Sequence, residues 1–158
     1  MDKRFDPIGI FDSGLGGLSV WREISLSLPS ESIVYFGDGL NCPYGPKNRE
    51  EITRLTDEAV GWLVRERHAK LVVLACNTAT AAAVTELRFK YNIPIVGMEP
   101  AVKPAALSTK TGIVAILATE ASLKGEHYRR TSQAYGAGIK LLPTVGEGFV
   151  EIVENDME

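Results

Sequence analysis

The sequence is short of cysteine, histidine and long apolar runs, and each shortage removes a class of function. Only two cysteines, Cys42 and Cys76, occur in 158 residues. Neither belongs to a CxxC pair, so a disulfide framework and structural zinc are not expected, and a reducing cytoplasm is. No apolar run approaches the roughly 20 residues of a membrane span. The opening MDKRFDPIGIF has too short an apolar segment for a signal peptide. A net charge of −3 offers no basic excess to attract nucleic acid or an anionic membrane. The two histidines, His68 and His127, fall in charged stretches that read as solvated helix and receive no catalytic role.

What is present is an ordinary globular composition, 45% hydrophobic and 23% charged, on a length that makes one domain or a domain and a fragment. Short apolar runs at 8–11, 33–36, 71–75, 93–97, 112–117 and 139–142 read as buried strands. Between them, residues 48–67, 78–91 and about 120–135 suit helices. In the first of these, Asn48 is placed to cap and Glu51 stands three residues later, as in a capping box. Such alternation predicts an α/β fold, a parallel sheet with helices on both faces. Two prolines and a glycine in GMEPAVKPA suggest a join. After it, GIVAILATEAS repeats the plan of IGIFDSGLGG. The expected organisation is therefore a first α/β domain over 1–98 and the beginning of a second, similar one over 99–158.

In open parallel sheets ligands bind at the carboxyl ends of the strands. That rule gathers four polar loops to one edge: Asp12-Ser13-Gly14, GDGLNCPYG, Cys76-Asn77-Thr78 and Thr119. Each loop has a plainer reading. DSGLGG serves equally as a tight strand-to-helix turn, or as part of a dinucleotide loop in which Gly14 and Gly16 fit, Ser19 does not, and Asp38 lies at ribose-ligand distance. CPYG serves as a turn with Tyr44 as packing, Cys76 as a small buried hydrophobe, and Asp57 and Glu58 as surface charges.

The combination is more specific. GIFDSGLGGLSV, YFGD…PYG, LACNTATA and ILATEAS stand in the order and spacing found in bacterial glutamate racemases, of the aspartate/glutamate racemase superfamily, and the chain resembles that family over almost its whole length. FVEIVEN is similar to the family's F-V-P-L-V-E segment, with Glu151 in place of the proline. The resemblance implies two similar α/β domains enclosing D- or L-glutamate without cofactor or metal, a cysteine from each working on opposite faces of the α-carbon. It implies Cys76 as the first cysteine, Asp12 as its assistant in proton handling, and Asp12, Ser13, Tyr44, Gly45, Asn77 and Thr78 as substrate contacts. Thr119, at the end of the first strand of the second unit, completes the substrate-binding set. The implied role is to supply D-glutamate for peptidoglycan.

The chemistry follows from residue types. An α-proton beside a carboxylate is a very weak acid, so its removal needs a positioned base and neutralisation of developing charge. A thiol at a helix start is expected to have a lowered pKa. The sequence departs from the family in one respect. The second cysteine belongs to a Gly-Cys-Thr-His segment, and here no cysteine follows Cys76 and no Thr-His pair occurs. The chain therefore reads as the N-terminal portion of such an enzyme, inactive by itself. Glutamate is the expected partner, neither nucleic acid nor membrane is, and a homodimer stays open. The other readings are a sister racemase acting on aspartate or another small acid, a non-catalytic fragment that binds an acid or a partner chain, and, more distantly, a dinucleotide module.

Overall fold

The computed structural model describes residues 3–98 and 101–154. Glu99 and Pro100, where the expected join falls, and 155–158 lie outside the described residues. Four parallel strands form the larger sheet: β1 (Ile8–Asp12), β2 (Ile33–Gly37), β3 (Leu71–Leu74) and β4 (Ile95–Gly97), in the order β2-β1-β3-β4. The expected α/β fold is what forms.

Period-two alternation along β1 explains why both faces are covered. Ile8 and Ile10 point to one face, where they meet Val73, Ala75 and the Val20–Ile24 stripe of α1 (Leu18–Ser27). Phe11 points to the other and joins Val72 and Leu74. There it meets Ile52, Leu55 and Leu63 of α2 (Arg49–Arg65) and Val84 and Leu87 of α3 (Asn77–Lys90). All five residues of β1 are buried. The chain thus winds outward from β1 to β2 and then crosses back to β3, so the topological switch lies between β1 and β3.

Local signals account for several boundaries. The Asn48 side chain accepts the Glu51 N–H at 2.9 Å. Only half of the capping box forms, because the Glu51 carboxylate pairs with Lys47 at 2.9 Å. His68 lies beyond α2, exposed and with φ of 57°, so it is not in a helix as expected. The expected strand at 93–97 begins only at Ile95, the segment before it holding Pro94, which has no N–H to give a ladder.

A second, two-stranded parallel sheet follows, β5 (Ile113–Ala118) with β6 (Lys140–Val145). The stretch read as a join forms α4 (Val102–Ser108), whose Pro104 stands in the first turn, where no amide needs an intrahelical acceptor. The single helix expected at 120–135 is two, α5 (Glu120–Lys124) and α6 (Glu126–Tyr135). Gly125 separates them in an extended conformation, and a Cβ there would lie 2.8 Å from that of Ala81. Close approach to α3 therefore dictates the break. The last helix among the described residues is α7 (Phe149–Glu154).

One face of this second sheet is covered: Val114 and Ile116 are buried with Val102 of α4, against Leu123 and Tyr128. Ile113, Leu117 and Leu142 line the other face and are 49%, 59% and 40% exposed. Parallel sheets are ordinarily covered on both faces. This bare face is expected to bind a hydrophobic fluorescent dye in the native state, and Leu117→Lys to reduce that signal without lowering the unfolding midpoint. Equal dye binding in the variant would place the apolar surface elsewhere.

Candidate active site

The carboxyl ends of β1 and β3 adjoin, tied by the Ala75 N–H donating to the Phe11 carbonyl at 2.7 Å. The next residues are Asp12 on one strand and Cys76 on the other, both buried. Asp12 turns its carboxylate back into its own loop. One oxygen, Oδ2, accepts the Gly14 N–H at 3.1 Å and the Gly17 N–H at 3.0 Å. Gly17 has no room for a side chain, since a Cβ would lie 2.7 Å from Asp12 Cβ and 2.9 Å from Ala75 Cβ.

Cys76 is the N-cap of α3. Its sulfur accepts the Ala79 N–H at 3.4 Å and lies 3.3 Å from Ser13 Oγ. Sequence position alone suggested a lowered pKa, and the structure corrects that. The thiol is 7% exposed, and burial pushes its pKa up, with the Asp12 carboxylate pushing the same way. The hydrogen bonds from Ser13 and Ala79 act in the opposite direction and are outweighed. The resting group is a neutral thiol.

The thiol opens on a cavity of about 470 Å³. Asp12, Ser13, Asn77, Thr78 and Thr119 of the expected set line it, with Met98, Leu117 and the α7 residues Phe149, Val153 and Glu154 opposite. Thr78 and Thr119 hydroxyls meet at 2.9 Å, and Thr119 caps α5 by accepting the Ser122 N–H at 3.3 Å. No lysine or arginine lines the cavity among the described residues. An acid held there takes its hydrogen bonds from hydroxyls, the Asn77 amide and the first turn of α3.

Two expected contacts stand elsewhere. Tyr44 is buried, packs on Phe11 at a centroid distance of 6.2 Å, and donates its hydroxyl to Asp38 Oδ2 at 2.7 Å. Its side chain does not line the cavity, so the packing reading holds for the ring. Gly45 stands behind Thr119, where a Cβ would lie 3.5 Å from Thr119 Cγ2. Asp38, the ribose-ligand position of the dinucleotide reading, is buried under Tyr44 and Asn41 instead.

Glu154 was not singled out from the sequence. Its carboxylate accepts the Leu15 N–H at 2.8 Å and lies against Gly14. The FVEIVEN similarity was the signal available for it. Cys42 is the other thiol nearby. Burial, then Glu154 and Asp12, push its pKa to about 11, so it too rests protonated.

An α/β switch point carrying a cysteine as helix cap, an adjacent carboxylate and hydroxyl donors defines the class. The chain belongs to the Asp/Glu/Hydantoin racemase family, whose model matches residues 15–156. Within it, the chain is similar to the glutamate racemases of Herpetosiphon aurantiacus, 47% identical over 94% of this chain, and Stutzerimonas stutzeri, 47% identical over 96%. It spans 58% of the length of each of these relatives. Its fold matches the solved Escherichia coli glutamate racemase in complex with L-glutamate and the activator UDP-MurNAc-Ala, with a TM-score of 0.88 and 34% identity over 95% of this chain and 57% of that one. A Francisella tularensis glutamate racemase in complex with D-glutamate matches with a TM-score of 0.79 and 30% identity, over 96% of this chain and 56% of that one.

With the Cys76 pKa raised, the thiolate fraction at pH 8 lies below that of a free cysteine, and iodoacetamide labelling is expected to be slower than for a model thiol and to keep rising beyond pH 9. Asp12→Asn can keep both loop hydrogen bonds, because a single oxygen accepts them, while removing the charge. It should lower the Cys76 pKa and speed labelling at pH 8. An unchanged rate would mean that Asp12 does not act on the thiol.

Proposed function

We propose that this chain contributes the Cys76 half of a cofactor-independent glutamate racemase, an isomerase supplying D-glutamate for peptidoglycan in the cytoplasm. Residues 1–98 are its first domain, and those from 99 on belong to a second. The observation that carries the reading is Cys76 at the cap of α3, in contact with Ser13 and beside Asp12 at the mouth of the cavity. The glutamate-bound state of two similar structures supports the choice of acid.

The geometry suits proton abstraction. A thiolate formed where the neutral thiol is favoured is a stronger base than one in water, which narrows the gap to a weakly acidic α-proton. Ser13 Oγ and the Ala79 N–H hold that thiolate as it forms. Asp12, the neighbouring carboxylate, assists in handling the thiol proton. Asn77, Thr78 and Thr119 hold the substrate carboxylates, and hydrogen bonds that strengthen as charge moves onto the α-carboxylate lower the barrier.

Inversion needs a proton donor on the opposite face. Across the cavity from Cys76 the titratable side chain is Glu154, and no second thiol lines it among the described residues. Cys42 lines a different cavity, beside Tyr35 and Gly37 on the first-sheet side, and does not fill that role. The expected result in deuterated water, with protein from a host lacking its own racemase, is deuterium uptake at Cα of glutamate without inversion, abolished by Cys76→Ser. Glutamate should raise the unfolding temperature more than aspartate or NAD. Full interconversion lost on Cys42→Ser would make Cys42 the second base, and a larger shift with aspartate would move the assignment to a sister racemase.

A further inference from the structure

Asp38 follows β2 and is buried, yet its carboxylate is held by neutral donors. The Tyr44 hydroxyl donates to Oδ2 at 2.7 Å, and the Asn41 side-chain amide reaches Oδ1 and Oδ2 at 2.9 and 3.0 Å. The Asn41 N–H donates to the Asp38 carbonyl at 3.1 Å, and the Asp38 N–H to the Asp12 carbonyl at 3.0 Å. Burying a carboxylate on neutral donors is costlier than burying an amide. The site therefore keeps it for what it grips, the loop 41–45. That loop ends on Gly45, which stands so close behind Thr119 that a Cβ there would lie 3.5 Å from Thr119 Cγ2, and Thr119 bonds Thr78 at 2.9 Å. The line from Asp38 through Tyr44, Gly45 and Thr119 to Thr78 runs around the cavity from the β1–β2 side to the helix that carries Cys76.

We propose that Asp38 is a positioning residue: through Tyr44 and Asn41 it fixes the 41–45 loop against Thr119 and so sets the width of the acid-binding cavity. Asp38 does not line that cavity. The proposal rests on the acid-binding reading above, and its test separates the two.

The probe is iodoacetamide, with labelling at Cys76 and Cys42 read separately by mass spectrometry, with and without glutamate. Tyr44→Phe removes the grip without changing charge, and Asp38→Asn removes the charge. Each is expected to raise the half-protecting glutamate concentration at Cys76 at least fivefold and to speed Cys42 labelling at least fivefold. The effects of the two should be less than additive in the double variant, because Asp38→Asn weakens the same hydrogen bond that Tyr44→Phe removes. Lys70→Ala lowers stability by removing the ties to Glu31 and the Arg4 carbonyl at the amino ends of the strands, away from the loop, and should move neither readout. Protection unchanged in both loop variants, or equally altered by Lys70→Ala, overturns the proposal. If glutamate does not protect Cys76 in the unaltered chain, the acid-binding reading fails, and the Cys42 rate alone decides. Faster labelling in Tyr44→Phe then upholds loop fixation by Asp38, and an unchanged rate refutes it. Should Asp38→Asn fail to fold, Tyr44→Phe carries the test alone.

Discussion

The site depends on one pairing, the parallel contact between β1 and β3. Because the chain winds to β2 before crossing back, these two strands are neighbours in space though far apart in sequence, and their ends open at the same level. A single backbone hydrogen bond, from Ala75 to Phe11, fixes the relative height of Asp12 and Cys76. A register slip would turn every side chain of β3 to the opposite face. It would bury Val73 where Leu74 belongs and remove the thiol from the carboxylate. Fold stability and site geometry are thus held by the same constraint.

That geometry creates an electrostatic tension. Asp12 and Glu154 bring negative charge to a cavity whose expected guest is also an acid. With no cation on the walls among the described residues, a carboxylate placed there meets hydroxyls, amides and a helix end, which hydrogen-bond it without neutralising it. A thiolate formed beside these groups is destabilised and correspondingly basic, consistent with removal of a poorly acidic proton. The cost is that Cys76 rests uncharged, and its charged form is transient.

Much of this was legible in the residues. The strands carried continuous apolar runs because both faces of the sheet are covered, and the loop residues at their ends fell together as the parallel-sheet rule requires. The illegible parts share a cause: they depend on contacts between segments distant in sequence. Gly125 breaks a helix only because Ala81 of α3 stands against it. The Cys76 thiol titrates high because of how deeply β1 and its loop bury it, while its position before a helix suggested the reverse. The Tyr44 ring packs on Phe11 of β1, 33 residues earlier, and does not line the cavity. Glu154 reaches the β1–α1 loop across the whole length of the chain, a distance over which local pattern carries no information.

The small sheet has two unlike borders. Lys140 and Gly146 donate to Gly112 and Ala118, so the even-numbered residues of β6 face β5 and the odd-numbered ones face outward. Pro143 is among the outward ones, leaving that border without a donor at its centre. On the other border Ala115 and Leu117 present ordinary peptide groups, while Ile113 is already tied to Thr109 and Thr111. Growth of this sheet is therefore one-sided. The border beside β5 is the one a further strand could join, in the relation β3 has to β1, while Pro143 leaves the outer border of β6 without a central donor.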